Sequence, residues 1–206
     1  MKIYGPRMAA SFRRVNIYLK EKGIDLEHID FANAQVEMAT SAFKAMSPTG
    51  KIPVLELDDG SYVVESMAII EYLEECYPTP GMIGATAEER VMTRSITSIV
   101  NDLFAPLGTF VRHNGPGPGF LESRGMPRHA LLAEFFLPTV NRGFGALEIV
   151  MSNNMFLAGD RPMIPDCHLY ALLEACIDKF GYVLSDELPQ LIGWYARFST
   201  RPSVSV

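Results

Sequence analysis

The feature that most constrains this chain is a change of hydrophobic rhythm near Ala85. Before it, short alternating runs sit between helical stretches; after it, every periodic segment repeats at helical spacing. Alternation with period two lines one face of a strand, whereas spacing at three and four residues lines one face of a helix. One chain with both rhythms in succession predicts an α/β unit followed by an all-α unit. We place the first at residues 1–80 and the second at 86–206.

In the first unit, Lys2 to Tyr4 reads as a strand that Gly5-Pro6 ends. Phe12, Val15, Tyr18 and Leu19 mark a helix from Ser11 to Lys22, with Gly23 placed to stop it. Leu26 to Phe31 alternates as a second strand, and one short helix is expected from Met38 to Met46. Pro53 leads into Val54–Leu57, Asp58-Asp59-Gly60 makes a hairpin turn, and Ser61–Val64 returns. A helix from Ser66 to Tyr77 follows and stops at Pro78-Thr79-Pro80-Gly81. The first two strands need a crossover and so run parallel, while the hairpin strands run antiparallel. The expected result is a mixed four-stranded sheet flanked by helices.

In the second unit, Thr86-Ala87-Glu88-Glu89 has the form of a capping box. It opens a long helix through Leu103, Phe104, Leu107 and Val111, with a kink expected at Pro106. Residues 114–119, Asn-Gly-Pro-Gly-Pro-Gly, read as an exposed connector. They form no phosphate loop, because no strand precedes them and no Lys-Ser/Thr follows. Helical spacing returns from Pro127 to Met151, interrupted at Pro138, then from Asp166 to Phe180 and from Pro189 to Thr200. The segment from Asp166 to Phe180 is apolar enough to be the centre of the helical unit.

Composition excludes several classes. A net charge of −6, with Arg13-Arg14 as the only basic doublet, leaves no nucleic-acid footprint. That doublet reads as a solvated face or an internal ion pair. No stretch approaches the ~20 apolar residues that span a bilayer, so no membrane partner is expected. Met1-Lys2-Ile3-Tyr4 does not begin a signal peptide, which points to the cytoplasm. Cys76, Cys167 and Cys176 are odd in number, and the four histidines are scattered, so neither a disulfide framework nor a metal site is expected.

Two segments remain that secondary structure does not use up: Thr49-Gly50-Lys51-Ile52-Pro53-Val54 and Glu65-Ser66-Met67-Ala68-Ile69. In combination they resemble the glutathione S-transferase family. Pro189-Gln190-Leu191-Ile192-Gly193-Trp194-Tyr195 and Arg201-Pro202-Ser203-Val204 resemble that family's ending. The resemblance implies a thioredoxin-like N-terminal domain, an all-helical C-terminal domain and a homodimer. It implies glutathione as co-substrate, and a small hydrophobic electrophile as the partner of its sulfur. Pro53 would be cis, leaving Ile52 N–H and C=O free to pair with the cysteinyl residue as a short added strand would. Ser66 would hold the γ-glutamyl carboxylate at a helix mouth, Glu65 the amino group, and Lys51 the glycyl carboxylate. Phe104, Phe110 and His113 would line the electrophile pocket.

The chain also departs from the family. Aligning Arg14-Val15 with the family's Arg-Val puts Ala9 where a serine-type enzyme keeps its hydroxyl. Ser11, two residues on, is the expected thiol-activating residue; Tyr4 is given a packing role. No cysteine stands between Met8 and Ser11, which disfavours glutaredoxin-like disulfide exchange. Met38, Ala39 and Thr40 occupy a region where the family often has a base. Met163 stands where Ser or Thr usually caps the central helix, at an expected cost of ~1 kcal/mol. These departures keep a second reading open: a binding or regulatory protein that retained the fold without the chemistry.

Overall fold

A computed structural model describes residues 1–115, 121–151 and 154–205. Strands β1 (Lys2–Tyr4), β2 (Glu27–Ile29), β3 (Val54–Glu56) and β4 (Tyr62–Val64) form one sheet in the order β2-β1-β3-β4. β1 pairs parallel with β2, Ile3 opposite His28, and antiparallel with β3, Ile3 opposite Leu55. The β3–β4 hairpin is antiparallel. Ile3, Val54 and Leu55 are buried, so the short central strands fill the core while the edges stay half-open.

Helix α1 (Ala10–Lys22) is the crossover between β1 and β2. Gly23 ends it with φ 68, a backbone conformation that glycine adopts without steric cost. The single helix expected from Met38 to Met46 is two: α2 (Ala34–Ala39) and α3 (Ser41–Met46). Thr40 divides them because its hydroxyl accepts the Phe43 N–H, making it an N-cap rather than an interior residue. Helix α4 (Ser66–Cys76) follows the hairpin, and both Ile52-Pro53 and Thr79-Pro80 are cis.

The helical half comprises α5 (Ala87–Asn114), α6 (Ala130–Val150), α7 (Ile164–Phe180) and α8 (Pro189–Ser199). The Thr86 capping box is present, its hydroxyl bound to Glu89 N and the Glu89 carboxylate to Thr86 N. Pro106 lies inside α5, and Pro138 lies inside α6, where the expected interruption does not end the helix. Each removes one N–H donor from its helix and sets its ring against the carbonyl four residues earlier. α5 and α6 approach closely at Gly143, where a Cβ would stand 2.5 Å from Leu103. Of the connector expected over 114–119, Asn114 ends α5 and Gly115 is extended; the rest lies outside the described residues.

Two buried carboxylates organise the halves. Asp166 is 0% exposed and accepts from Leu157 N, Met163 N and Trp194 Nε1 at 2.9, 2.9 and 2.7 Å. Asp166 thus supplies the reciprocal half of a capping box by accepting the Met163 N–H, although no hydroxyl stands at Met163, and it ties α7 to α8. Glu74 of α4 accepts from Tyr18, Lys22, Met82 N and Ile83 N, joining α1 to the segment that leads into α5. Arg13 meets Glu174 of α7 through two bonds, 2.6 and 2.8 Å, and Arg201 meets Glu21 likewise. Arg13-Arg14 is therefore no solvated face: both side chains are buried. Among the described residues no helix is long and apolar enough to cross a membrane.

Candidate active site

A cleft of about 470 Å³ opens between α1, α4 and α5 and is lined by Ser11, Arg14, Met38, Lys51, Ile52, Glu65, Ser66, Met67, Asn101 and Phe104. That volume is ordinary for a small-molecule site. The structure therefore assembles Ser11, Lys51, Ile52, Glu65, Ser66 and Phe104, expected from sequence, on one cavity, with Pro53 adjoining it. Phe110 and His113 are not on it: Phe110 packs edge-on against Tyr182, and His113 Nδ1 accepts from His129 N.

Ile52 precedes the cis peptide and lies before β3, so no neighbouring strand covers it. Among the described residues its N–H has no partner, and its carbonyl accepts the Ser11 hydroxyl at 2.9 Å. The loop before it is held from below by Ser47, buried, whose hydroxyl donates to Lys51 O and accepts from Lys51 N. The side chain of Lys51 is left in solvent at the rim.

Glu65 has φ 69, the one non-glycine residue with positive φ among those described. A non-glycine residue held there is strained and marks a site that the surroundings over-determine. This turn swings the chain from β4 into α4 and aims the helix mouth at the cleft. The first backbone bond of α4 is Ile69 N to Glu65 O, so the N–H groups of Ser66, Met67 and Ala68 are left for a ligand. No acidic residue occupies the first turn of α4 or of α1. At α1 the first bond is Arg13 N to Ala9 O, leaving the N–H groups of Ala10, Ser11 and Phe12 unused. Two positive helix ends therefore border the cleft.

Tyr4 is turned away from sulfur chemistry. Its hydroxyl donates to Glu56, and that bond, with burial, pushes the phenol up to about 12. Sequence reasoning missed Arg14 as a cleft residue, although Ser11 and Arg14 are three apart and share a helix face. Asn101 and Phe104 on α5 have the same spacing. His168 was also missed: it is 0% exposed, lies behind Arg14, and its Nε2 is 2.5 Å from Arg14 Nη1.

A thioredoxin-like sheet joined to a helical domain, with an unpaired backbone edge facing a helix mouth, defines a class of thiol-peptide-binding proteins. Comparison with known proteins narrows the class. Residues 12–76 match the family model "Glutathione S-transferase, N-terminal domain", and residues 127–202 match "Glutathione S-transferase, C-terminal domain". The chain is 30% identical to maleylacetoacetate isomerase of Pseudomonas aeruginosa, across 93% of this chain and 87% of that one. It is 26% identical to a zeta-class glutathione S-transferase of Euphorbia esula, across 98% and 87% of the two chains. A glutathione S-transferase domain-containing protein from Marinobacter aquaeolei VT8 superposes with a TM-score of 0.86 at 28% identity, covering 100% of both chains. The chain belongs to the glutathione S-transferase family.

Proposed function

We propose that this chain is a glutathione transferase that ionises the glutathione thiol and directs it onto a hydrophobic electrophile. The observation that carries the reading is the cleft itself, with the Ile52 edge, the α4 mouth and the α1 mouth all facing it. In this reading the cysteinyl residue pairs with Ile52, and Ser66 N–H and hydroxyl take the γ-glutamyl carboxylate. Glu65 takes the amino group, and Lys51 takes the glycyl carboxylate. The sulfur then lies at the start of α1.

A free thiol titrates near ~8.5, so activation requires donors that favour the thiolate. The unused N–H groups of Ala10 to Phe12 supply part of this. Ser11 supplies the rest by a change of partner. Its one proton is directed at Ile52 O, the acceptor that the cysteinyl N–H of the ligand needs. When the ligand occupies that carbonyl, the Ser11 hydroxyl is released to rotate towards the sulfur. The thiolate then attacks the electrophilic carbon, and the leaving group departs with its electron pair, or the displaced π pair takes up a proton. Phe104 provides an apolar wall for the electrophile.

Glutathione is the co-substrate and no metal is required. The family resemblance further supports a homodimer working in the cytoplasm. A second reading, glutathione-dependent isomerisation of an unsaturated acid, is favoured by the likeness to maleylacetoacetate isomerase. It uses the same addition followed by expulsion of the thiolate after bond rotation.

The test is turnover of an activated aryl halide and of a cis-unsaturated keto acid with glutathione, in wild type and Ser66→Ala. Saturable glutathione dependence that weakens about tenfold in the variant supports the proposal. Binding without turnover of any electrophile would leave a non-catalytic binding protein.

A further inference from the structure

Among the described residues, buried Arg13 has Glu174 and buried Lys22 has Glu74, as the half-buried Arg201 has Glu21. Arg14 is 5% exposed, yet among the described residues no carboxylate lies within ion-pair distance of it. Its guanidinium lies 3.9 Å from the centre of the Phe104 ring, and Nη1 donates to His168 Nε2. Because a guanidinium only donates, Nε2 must accept, so the His168 proton sits on Nδ1, which is buried without a partner. Burial and the Arg14 charge hold His168 far below its ordinary range, so it is neutral. Burial also draws Arg14 down to about 9, opposed only by the more distant Glu65.

A buried charge without a counter-charge is costly. Here it is also accessible from one side only. Among the described residues Arg14 Nε is enclosed and unpartnered, whereas Nη2 makes no bond and is not enclosed. Arg14 lines the cleft beside Ser11, Asn101 and Phe104. Such a group is preorganised for an anion that arrives from outside.

Elimination indicates which anion. In the reading above, glutathione's two carboxylates go to the α4 mouth and to Lys51, and its thiolate to the α1 mouth. Arg14 lies beyond these, where α1 meets Phe104 of α5 and His168 of α7, on the helical-domain side. We propose that Arg14 is an anion subsite for the second substrate, so that the preferred electrophiles carry a carboxylate close to the carbon that sulfur attacks. A planar guanidinium matches a carboxylate better than any other cationic side chain. Phe104 beneath it fixes the plane, and His168 fixes Nη1, making His168 a positioning residue.

This inference rests on the glutathione-transferase reading, and one experiment separates the two. With glutathione saturating, kcat/KM is measured for 4-oxo-4-phenylbut-2-enoate and for its methyl ester, each divided by its uncatalysed rate. Wild type should favour the acid, and Arg14→Gln should lower the acid-to-ester ratio by about tenfold or more. An equal ratio in the two proteins would overturn the subsite, as would an unchanged ratio accompanied by a raised thiol pKa. Should Arg14→Gln fail to fold, benzoate inhibition of wild type decides. Competition with the electrophile supports the proposal; competition with glutathione, or no inhibition, overturns it. If wild type neither saturates with glutathione nor turns over the ester, the parent reading fails first.

Discussion

At the scale of single residues, Ser11 and Ile52 show how a site can be held ready without its ligand. The hydroxyl proton is directed at the Ile52 carbonyl, the acceptor that the cysteinyl residue would take in the proposed complex. One hydrogen bond to an anion is worth ~1.5–3 kcal/mol, enough for ten- to hundredfold in rate if it is made in the reactive complex. Ser11→Ala should therefore lower kcat/KM at neutral pH by about tenfold and move the rising limb of the pH–rate profile upward, with little change in KM for glutathione. A profile superimposable on wild type would assign activation to the backbone N–H groups alone. The place of Ser11 on the cleft was legible in the sequence because a serine at a helix entrance lies beside the helix's free N–H groups. Arg14 was not: a basic doublet in a helix does not say which member pairs internally and which faces a cavity. Arg13 took the carboxylate of a residue 161 positions away, which no local pattern records.

At the scale of elements, periodicity located nearly every helix and strand, because each buries one stripe. It failed where the deciding interaction was a side chain against backbone. Thr40 caps α3, and so α2 and α3 are separate. At α7 the carboxylate of Asp166 binds the N–H of Met163, Leu157 N and Trp194 Nε1, three donors that favour the carboxylate while burial opposes it. Burial dominates and pushes Asp166 up to about 6. The folded state then binds a proton more tightly than the unfolded state, so the stability that protonation contributes is complete below the unfolded pKa of ~3.9 and is lost as pH rises towards 6. Relative to Asp166→Asn, wild type should be progressively less favoured between about pH 4 and 6 and show no further change above. Chemical denaturation at several pH values measures this. A wild-type advantage that grows with pH would mean that the three donors outweigh burial.

At the scale of the whole molecule, the cleft is as rigid as the joint between the sheet and the helices. Glu74 is central to that joint, because one carboxylate binds α1 twice and the Met82-Ile83 backbone twice. Removing it leaves the Lys22 ammonium buried and unpaired, so Glu74→Ala should cost about 3–5 kcal/mol in equilibrium denaturation. A cost under ~1 kcal/mol would show that water replaces the carboxylate. The fold class was readable from the switch in rhythm near Ala85, since whole-chain pattern survives local error. The joint was not, because Tyr18, Lys22 and Glu74 are ordinary helix residues until the helices meet.

The central claim is that the Ile52 edge and the two helix mouths hold glutathione with its sulfur ionised. Ultraviolet absorption of the thiolate, followed while the wild-type complex with saturating glutathione is titrated with base, measures this directly. A midpoint well below the free-thiol value of ~8.5 is the predicted result. A midpoint at the free value, or no saturable binding, would contradict it.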